Sequence, residues 1–531
     1  MRTLPSHLEG RWIEGTGAGQ ELVNPSTEEA IARVSTEGLD FGRALAFARE
    51  TGGPALRALT FAERSDLLRG MSRAIHAHRD ELLDLAMVNG GNTRSDAKFD
   101  VDGASGTLNY YADLGQRLGA FKLLADGDAE QLARSPRFVG QHVRVPRRGV
   151  AVHVNAFNFP AWGLGEKAAC ALLAGMPIVV KPATSTALVA HRIVEIFVEQ
   201  KLLPDGALSL VAGAPGDLLK HLGGEDTLAF TGGSSTAVTL RSLDGVVRDS
   251  VRVNVEADSL NGAILGPDVE VGSDTWSAFL RDVARDMQQK TGQKCTAIRR
   301  IFVHADRVAD VTDALLDRVG AIVTGNTAND RVTMGPVATR TQQRDVLKGI
   351  ELLREGAKRL SGEGDFAPVD APAGKGFFVP PTLFLCDASA DAVHRHEVFG
   401  PVQSVVPFGS NEELERLVRR GGGGLVCSLY SDDRAFATDV ALGIASAHGR
   451  LALSSAKIAE QAPGPGTVLP QMVHGGPGRA GGGEELGGLR GLDFYSHRCA
   501  IQGDRPVLDA IAARAARLPG AAPAPSGKPS S

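Results

Sequence analysis

The sequence predicts an α/β protein with two doubly wound parallel-sheet units, and two observations support this fold class. Short apolar runs, such as residues 150–154 and 177–180, alternate with stretches of helical spacing, and the alternation starts again after residue 256. Strands that alternate with helices form parallel sheets through right-handed crossovers. The length of 531 residues is also too great for one hydrophobic core. Such doubly wound sheets commonly bind nucleotides.

The composition is that of a globular protein with no affinity for nucleic acid or membranes. Hydrophobic residues make up 43% and charged residues 22% of the chain, and the net charge is −5. The five cysteines are scattered and free of CxxC pairs, which argues against a disulfide scaffold and a zinc site and favours a reducing cytoplasm. No apolar run suits a signal peptide or approaches the roughly 20 residues that span a bilayer.

Before the regular alternation, the chain is predicted to be helical up to an extended interruption. Helical spacing covers residues 41–51, 61–88 and 95–117. Residues 123–148 then mix polar residues with short apolar pairs and end in Pro-Arg-Arg-Gly. We interpret this segment as a β-hairpin that interrupts the first domain.

Regular alternation follows the hairpin. The first unit contains predicted strands at 150–154, 177–180, 208–211 and 227–230, and helices at 161–174 and 187–201. The second contains helices at 274–291, 307–319 and 340–357, and strands at 301–303, 402–406 and 425–430. Residues 463–491 are dense in Gly and Pro and are expected to be mostly loop. Residues 519–531 are expected to be disordered, because they cannot bury a core.

Two residues in this frame suggest covalent catalysis. Cys295 lies in a predicted loop, and Glu256 ends the apolar run 251–255 at a strand edge. A thiol nucleophile and a carboxylate that acts as general base are what covalent thiol catalysis requires. Taken alone, the pair is equally compatible with a buried structural cysteine and a surface glutamate.

Three further features lie at predicted strand ends, where parallel sheets bind ligands. The run 230–236, Phe-Thr-Gly-Gly-Ser-Ser-Thr, suits a phosphate at a helix N-terminus, but it also suits an ordinary turn with an N-cap. Lys181 suits either a ligand or a solvated loop. Asn158 suits either an oxyanion donor or the cap of the helix that follows.

Seven segments, in order from about residue 10 to about residue 500, resemble the motifs of the aldehyde dehydrogenase superfamily. They are Asn158-Phe159-Pro160, Lys181-Pro182-Ala183, Phe230-Thr231-Gly232, Glu256, Gln293-Lys294-Cys295, Glu397-Val398-Phe399-Gly400-Pro401 and Glu485-Leu486-Gly487. The resemblance implies two Rossmann-type parallel-sheet domains and a small β flap for oligomerisation.

The resemblance also divides the chain into functional regions. It implies a dinucleotide-binding domain at 1–122 with 149–257, a catalytic domain at 258–462, an oligomerisation flap at 123–148 with 488–505, and a Gly-rich loop lining the site at 463–487.

The catalytic roles follow from the same resemblance. Cys295 matches the nucleophile, Glu256 the general base, and Asn158, with the Cys295 backbone N–H, the oxyanion hole. Lys167 and Glu485 match a pair that relays protons away from the base. The cofactor-binding positions implied are Ala156, Phe157, Lys181, Ala183, Thr184, Gly213, Thr231, Gly232, Gly233, Ser234, Glu397 and Phe399. No metal is implied.

Departures from the usual motifs bear on the cofactor. Thr184 stands where NAD-using members often carry Glu, whose carboxylate bonds the ribose 2′-hydroxyl and repels a 2′-phosphate. The resemblance therefore favours NADP, with NAD used more weakly. Gly233 replaces the usual Ser after Phe-Thr-Gly, and the residues after Glu256 read Ala-Asp-Ser where Leu-Gly-Gly is usual.

These departures and the run 474–485 resemble a branch that oxidises CoA-linked semialdehydes to acids, through a cysteine thioester, in the degradation of aromatic acids. Composition and spacing carry no sign of the CoA. Other readings are an aldehyde dehydrogenase for another free or CoA-linked aldehyde, a CoA-acylating enzyme, a glutamyl phosphate reductase, and a non-catalytic protein of this fold. Glu256 argues against CoA acylation, the motif at Glu397 against the reductase, and Cys295 with Glu256 against the last.

A homodimer is expected from the extended segments outside the two domains. The hairpin near 123–148 and a strand near 493–502 carry apolar residues that we expect to be exposed and to need a partner. They are Phe138, Val139, Phe494 and Tyr495.

Overall fold

The computed structural model describes residues 2–517, so the tail predicted at 519–531 lies outside the described residues. Within them the two predicted parallel sheets are present, and each has seven strands. Three smaller sheets accompany them. Among the helices of residues 2–517, none combines the length and apolarity that a membrane-spanning segment needs.

The first sheet places several predicted site residues along one edge. Its strands, in spatial order, are Arg252–Glu256, Thr227–Thr231, Ala151–Val154, Ile178–Lys181, Leu208–Leu210, Ser6–Leu8 and Arg11–Ile13. The first five run parallel, and the N-terminal hairpin is added antiparallel. Lys181, Thr231 and Glu256 are each the last residue of a parallel strand, so they lie at the same edge.

Helices flank this sheet close to the predicted positions. They are Phe41–Phe47, Gly53–Ala58, Phe61–Ala77, Arg79–Gly90, Arg94–Leu118, Trp162–Ala174, Ala187–Glu199, Ser234–Arg241 and Asp244–Arg248. The single helix predicted at 61–88 is two, because the chain leaves helical geometry at His78, with ψ of 19°. Asp80 and Glu81 then occupy the first turn of the second helix, where acidic side chains interact favourably with the helix dipole.

The second sheet is parallel except for one edge strand. Its strands, in order, are Ala357–Arg359, Thr382–Cys386, Val402–Phe408, Arg300–His304, Gly262–Leu265, Gly424–Tyr430 and His448–Ser454. The helices of this half are Asp274–Gln288, Val308–Gly320, Arg340–Leu353, Ala392–Arg395, Asn411–Arg419 and Arg434–Ile444.

Two helices of this half end earlier than predicted. The helix predicted at 340–357 ends at Leu353, and Gly356, with φ of 76°, turns the chain into the antiparallel edge strand. The helix predicted at 274–291 ends at Gln288, because Lys290 and Thr291 have left-handed backbone angles. The second departure shapes the loop that carries Cys295.

The predicted hairpin is confirmed as part of a four-stranded sheet. In order, its strands are Ser496–Asp504, Phe138–Pro146, Leu123–Gln131 and Ala515–Arg517. The expectation of four exposed apolar residues is wrong for three of them: Phe138 is 41% exposed, but Val139 and Tyr495 are buried and Phe494 packs partly buried against the core of the first half. The helix Arg505–Ala512 connects the strands Ser496–Asp504 and Ala515–Arg517.

Two small sheets complete the fold. One contains Arg2–Leu4, Ala30–Val34 and Gln20–Val23. The other is a hairpin, Val473–Gly475 with Glu484–Leu486, within the Gly- and Pro-rich segment that is otherwise loop as predicted. This segment covers the open edge of the strand Arg252–Glu256. An added Cβ at Gly481 or Gly483 would lie 2.3 or 2.4 Å from the Val255 carbonyl oxygen, so this close backbone approach requires glycine.

A buried carboxylate joins three elements near the site. Asp100, on the helix Arg94–Leu118, accepts hydrogen bonds from the backbone N–H groups of Ala161 and Trp162, at 3.3 and 2.8 Å. Its carboxylate also lies 3.7 Å from the buried Lys290 ammonium. It therefore fixes the start of the helix Trp162–Ala174 and the chain that leads to Cys295.

We expect Asp100→Ala to destabilise the protein by about 3–5 kcal/mol, because it removes the carboxylate that forms the ion pair with buried Lys290 and leaves two N–H groups without an acceptor. Asp100→Asn keeps an acceptor oxygen and should lose less. Urea unfolding measures both. Asp317→Ala, at an exposed position, is the matched control and should change stability by less than about 0.5 kcal/mol. An Asp100→Ala protein as stable as this control would contradict the anchoring role.

Candidate active site

Glu256 is the last residue of an edge strand, yet only 3% of it is exposed. Thr231, on the neighbouring strand, lies opposite it. The open side of the strand is closed by the Gly-rich segment, where the Gly483 N–H donates to the Val255 carbonyl at 3.1 Å. The carboxylate is thus at the ligand-binding edge of the sheet but shielded from bulk water.

The Cys295 loop is held by side chains from its surroundings. The Asp286 carboxylate accepts from the Lys294 ammonium at 2.5 Å and from the Ile298 N–H at 3.1 Å. The Asn261 amide donates to the Cys295 carbonyl at 2.7 Å. Hydrogen bonds on both sides of the cysteine fix its backbone without a helix or strand.

The chain enters this loop through three successive left-handed residues. Lys290, Thr291 and Gly292 have φ of 52°, 55° and 67°. The Thr291 hydroxyl donates to the Gly335 carbonyl at 2.9 Å, which holds this unfavourable conformation of a β-branched residue. A Cβ at position 292 would lie 2.1 Å from the Gly400 carbonyl oxygen. The turn therefore directs the cysteine back towards the first sheet.

The structure brings the thiol and the carboxylate together. A carboxylate oxygen of Glu256, the sulfur of Cys295 and a ring nitrogen of His474 lie within 4.8 Å of one another. Burial and the adjacent Glu256 carboxylate raise the pKa of the Cys295 thiol well above its usual value. Burial alone would also raise the pKa of Glu256, but the His474 and Lys167 charges outweigh it and lower that pKa to about 2. Glu256 is therefore ionised in the resting site and Cys295 is a thiol.

Two cavities meet at these residues. The first has a volume of about 480 Å³ and aromatic walls that include Phe99, Phe159 and Trp162. The second is a wider cleft of about 1380 Å³ between the two parallel sheets. Five residues line both: Ala156, Asn158, Thr231, Glu256 and Cys295. Groups entering from opposite sides would meet at the thiol.

Asn158 is placed beside the thiol by the loop that follows the strand Ala151–Val154. Its amide nitrogen donates to the Gln293 carbonyl at 2.9 Å, and the residue is buried. A side-chain amide has two N–H donors. One therefore fixes the side chain against the cysteine loop, and the second is available to an oxygen in the cavity.

A buried group of charges lies behind Glu256. The Lys167 ammonium is 3.1 Å from a Glu166 oxygen and 3.2 Å from a Glu485 oxygen. Burial opposes the charged form of Lys167, but these carboxylates outweigh it and raise its pKa. Burial raises the pKa of Glu166 to about 7, although Lys167 acts against this. One carboxylate oxygen each from Glu166, Glu256 and Glu485 lies within 4.8 Å of the other two.

Sequence reasoning missed two members of this site, Glu166 and His474. Glu166 lines the first cavity beside Lys167. The available signal was that these two are the charged residues of an otherwise apolar, fully buried helix, Trp162–Ala174. His474 carries no such signal, because its position in a Gly-rich stretch indicates only a loop. Its contact with Glu256 depends on the hairpin that aligns it with Glu485.

The wide cleft contains groups that fit a dinucleotide. It is lined by the predicted residues Ala156, Phe157, Ala183, Thr231, Gly232, Gly233, Glu397 and Phe399. The Glu397 carboxylate accepts from the Ser259 N–H at 3.1 Å through one oxygen, and its other oxygen is buried without a hydrogen bond, 3.7 Å from the Arg299 guanidinium. Burial raises the pKa of Glu397 to about 7. The Thr231 hydroxyl is likewise unpartnered. Unpaired buried polar groups in a cleft suit a ligand with hydroxyls.

Four predicted cofactor residues, Lys181, Thr184, Gly213 and Ser234, stand outside the lining of this cleft. Lys181 is buried at the strand end, and burial lowers its pKa to about 8. Thr184 begins the short turn Thr184–Thr186 and is partly exposed. Gly213 has φ of 137° and lies beyond the neighbouring strand.

The fourth, Ser234, is engaged by a carboxylate at the start of the helix Ser234–Arg241. Asp258 accepts from the Ser234 N–H at 2.9 Å and from its hydroxyl at 2.6 Å. This carboxylate occupies the helix N-terminus at which the sequence suggested a phosphate. A phosphate at this position would have to displace Asp258.

Proteins of known identity resemble this chain in sequence. A model of the aldehyde dehydrogenase family matches residues 12–499. The 3,4-dehydroadipyl-CoA semialdehyde dehydrogenase of Aromatoleum evansii is 45% identical over 477 residues, 89% of this chain and 93% of that protein. The non-phosphorylating aspartate-semialdehyde dehydrogenase of Halomonas elongata is 27% identical over 92% of this chain and 93% of its own.

Solved structures resemble it in fold. Betaine aldehyde dehydrogenase from Staphylococcus aureus in complex with NAD+ has a TM-score of 0.82 at 26% identity, over 94% of this chain and 95% of that one. These likenesses confirm the predicted fold class. The family model also spans most of the residues that build the two cavities, and the chain therefore belongs to the aldehyde dehydrogenase family.

Proposed function

We propose that this protein oxidises a CoA-linked semialdehyde, 3,4-dehydroadipyl-CoA semialdehyde, to the carboxylic acid with NADP, in the degradation of aromatic acids. The observation that carries the chemistry is the placement of Cys295, Glu256 and Asn158 where the two cavities meet. The substrate is supported by the identity of 45% with the Aromatoleum evansii enzyme of that name.

The regions of the chain are proposed to divide the work as the resemblance implies. Residues 1–122 and 149–257 bind the dinucleotide, and 258–462 carry the nucleophile. Residues 463–487 line the site, a role supported by the contact of His474 with Glu256. Residues 123–148 and 488–505 serve oligomerisation.

In the first step, Glu256 takes the proton of the Cys295 thiol, and the sulfur adds to the aldehyde carbon. The carbonyl oxygen becomes an alkoxide that accepts a hydrogen bond from the free N–H of Asn158. Thiol addition depends on the thiolate, and Glu256, within 4.8 Å of the thiol, is the base placed to take its proton.

A dinucleotide in the wide cleft would be held by Glu397 and Lys181 at ribose hydroxyls, and by the turn at Thr231 and Gly232. When bound, its nicotinamide would supply the hydride acceptor for the oxidation, and Cys295 would then hold the acyl group as a thioester. Phe399 and Phe157, whose rings are 5.8 Å apart, wall this cleft.

In the last step, Glu256 takes a proton from a water molecule that attacks the thioester carbon. The C–S bond breaks, the acid leaves, and the sulfur takes the proton from Glu256 to regain its thiol. Lys167 and Glu485 carry the thiol proton of the first step onward from Glu256 before the water reacts, a role supported by the 3.2 Å contact between them. Glu256 also favours hydrolysis of the thioester over transfer of the acyl group to free CoA, because only hydrolysis needs a base that activates water.

An assay of the purified protein tests the function. NADPH formation with the CoA-linked semialdehyde should exceed that with free semialdehydes of equal chain length in kcat/KM. Cys295→Ala should abolish turnover while leaving the unfolding transition unchanged, because the side chain serves the chemistry. Substantial turnover by this variant would remove Cys295 from the mechanism, and equal use of free aldehydes would refute the CoA-linked substrate.

Glu256→Gln should slow deacylation more than hydride transfer, because the amide keeps the shape but cannot accept a proton. Stopped-flow absorbance should show a burst of NADPH of about one equivalent per site. Steady turnover should then fall by about 10²–10⁴-fold. A first turnover as slow as the later ones would show instead that Glu256 acts mainly on the thiol.

The preference for NADP is proposed to rest on Thr184 and Lys181. A hydroxyl and an ammonium can each bond a 2′-phosphate, and a charge-assisted bond contributes about 1.5–3 kcal/mol, or roughly tenfold or more in binding. Thr184→Glu should reverse the preference, because its carboxylate repels the phosphate and bonds a free 2′-hydroxyl. The measurement is kcat/KM with NADP and NAD. Thr184→Gln, of equal size without charge, is the control, and an unchanged ratio in Thr184→Glu would contradict this assignment.

A homodimer is proposed through the flap. The strand Ser496–Asp504 is an edge strand, and its central residues are exposed, so a partner can cover it. Light scattering at micromolar concentration should give twice the chain mass of 55.6 kDa. Cys499→Lys, in the middle of this edge, should shift the mass towards the monomer, whereas Val271→Lys, at an exposed position on the second half, should not. A monomeric parent protein would rule the dimer out.

A further inference from the structure

His474 makes a contact that the mechanism above does not use. It lies on the strand Val473–Gly475, opposite Glu485 in the hairpin. Its Nε2 is 3.1 Å from Oε2 of Glu256. The two residues are 4% and 3% exposed. Because water is excluded, protein groups must neutralise the charge of this carboxylate.

The two oxygens of Glu256 have different surroundings. Oε2 faces the His474 ring, whereas Oε1 is buried without a hydrogen-bond partner among the described residues. Glu256 also lines both cavities. His474 therefore anchors one oxygen and leaves the other for the proton of the thiol or of water.

The ion pairs around Glu256 also indicate that His474 compensates its charge. The ion pairs of Lys167 are with Glu166 and Glu485. Within residues 2–517, His474 is the group that pairs directly with Glu256 at ion-pair distance. The titratable and charged groups that face His474 come from five elements and are Glu256, Glu166, Lys167, Glu485, Cys295 and Arg450.

Glu256 and His474 alter each other's ionisation. Burial favours the neutral imidazole, and Arg450 acts in the same direction, but the Glu256 carboxylate, with a smaller contribution from Glu166, outweighs both and raises the pKa of His474. Without that carboxylate, burial would leave His474 neutral. The charge on the ring thus depends on Glu256.

We propose that His474 is a positioning residue that holds a positive charge against Glu256, so that the Cys295 thiolate forms beside a carboxylate whose charge is already compensated. The inference rests on the proposed roles of Cys295 and Glu256. A thiolate within 4.8 Å of an uncompensated carboxylate is strongly disfavoured by repulsion. The imidazolium removes most of that repulsion and fixes the orientation of the base.

The test is the pH dependence of Cys295 alkylation by iodoacetamide, in the absence of aldehyde and cofactor, with the modified peptides identified by mass spectrometry. His474→Gln keeps a donor but cannot carry charge. It should raise the apparent pKa of Cys295 by about one unit or more, and so slow alkylation at neutral pH by about tenfold. Asp317→Ala, at an exposed position, is the matched control, and the alkylation profile of Cys295 should not change in it.

A double-substitution cycle separates positioning from other roles. In a Glu256→Gln background, His474→Gln should have almost no effect, because the ring is then already neutral. An equal effect in both backgrounds would show that His474 acts on the thiol directly and would overturn the proposal, as would no effect in either. His474→Asn, with thermal unfolding followed by circular dichroism, replaces the Gln variant if that variant does not fold.

The outcomes also separate this proposal from the proposed function. A parent protein whose Cys295 resists alkylation at every pH would contradict the nucleophile itself. A reactive Cys295 that is indifferent to His474 would leave the nucleophile in place and refute the positioning role.

Discussion

The site depends on burying the negative charge of Glu256. An ionised carboxylate away from water is strongly unfavourable unless it is paired and hydrogen-bonded. His474 pairs with it directly, and Lys167 lies between the two acidic side chains behind it and contacts both. The same requirement explains the glycine-rich segment. Its backbone closes the open edge of the strand Arg252–Glu256 at distances that a Cβ would prevent, and it carries His474 into place.

The Cys295 thiol is positioned by side-chain hydrogen bonds to its loop. Its loop has neither helical nor strand backbone, so side chains supply the hydrogen bonds that secondary structure would provide. Asp286 and Asn261 fix the loop on either side of Cys295, and Asp100 holds the preceding Lys290. Carboxylates on helices of both halves therefore set the distance between Cys295 and Glu256. A loss of any of them is expected to loosen the geometry on which the reaction depends.

The two cavities reach the Cys295 thiol from different sides. The wide cleft opens between the sheets and contains polar atoms of Glu397 and Thr231 that make no hydrogen bond, whereas the smaller cavity is walled by aromatic rings. A polar cofactor and an aldehyde chain thus have separate approaches to one thiol. The turn before the helix Ser234–Arg241 also differs from an ordinary phosphate-binding turn. The Asp258 carboxylate already occupies the N-terminus of that helix.

The sequence by itself determined the parallel-sheet architecture, the hairpin, and the residues Cys295, Glu256 and Asn158 as candidates, since hydrophobic periodicity and short motifs are local properties. Helix ends were harder to predict: the turn at Lys290 to Gly292 is stabilised by Gly335, which is distant in the chain. The roles of His474, Glu166 and Asp258 were decided only by the tertiary structure. Each depends on a partner on another element, and the charge on a buried group is set by such partners rather than by its neighbours in sequence.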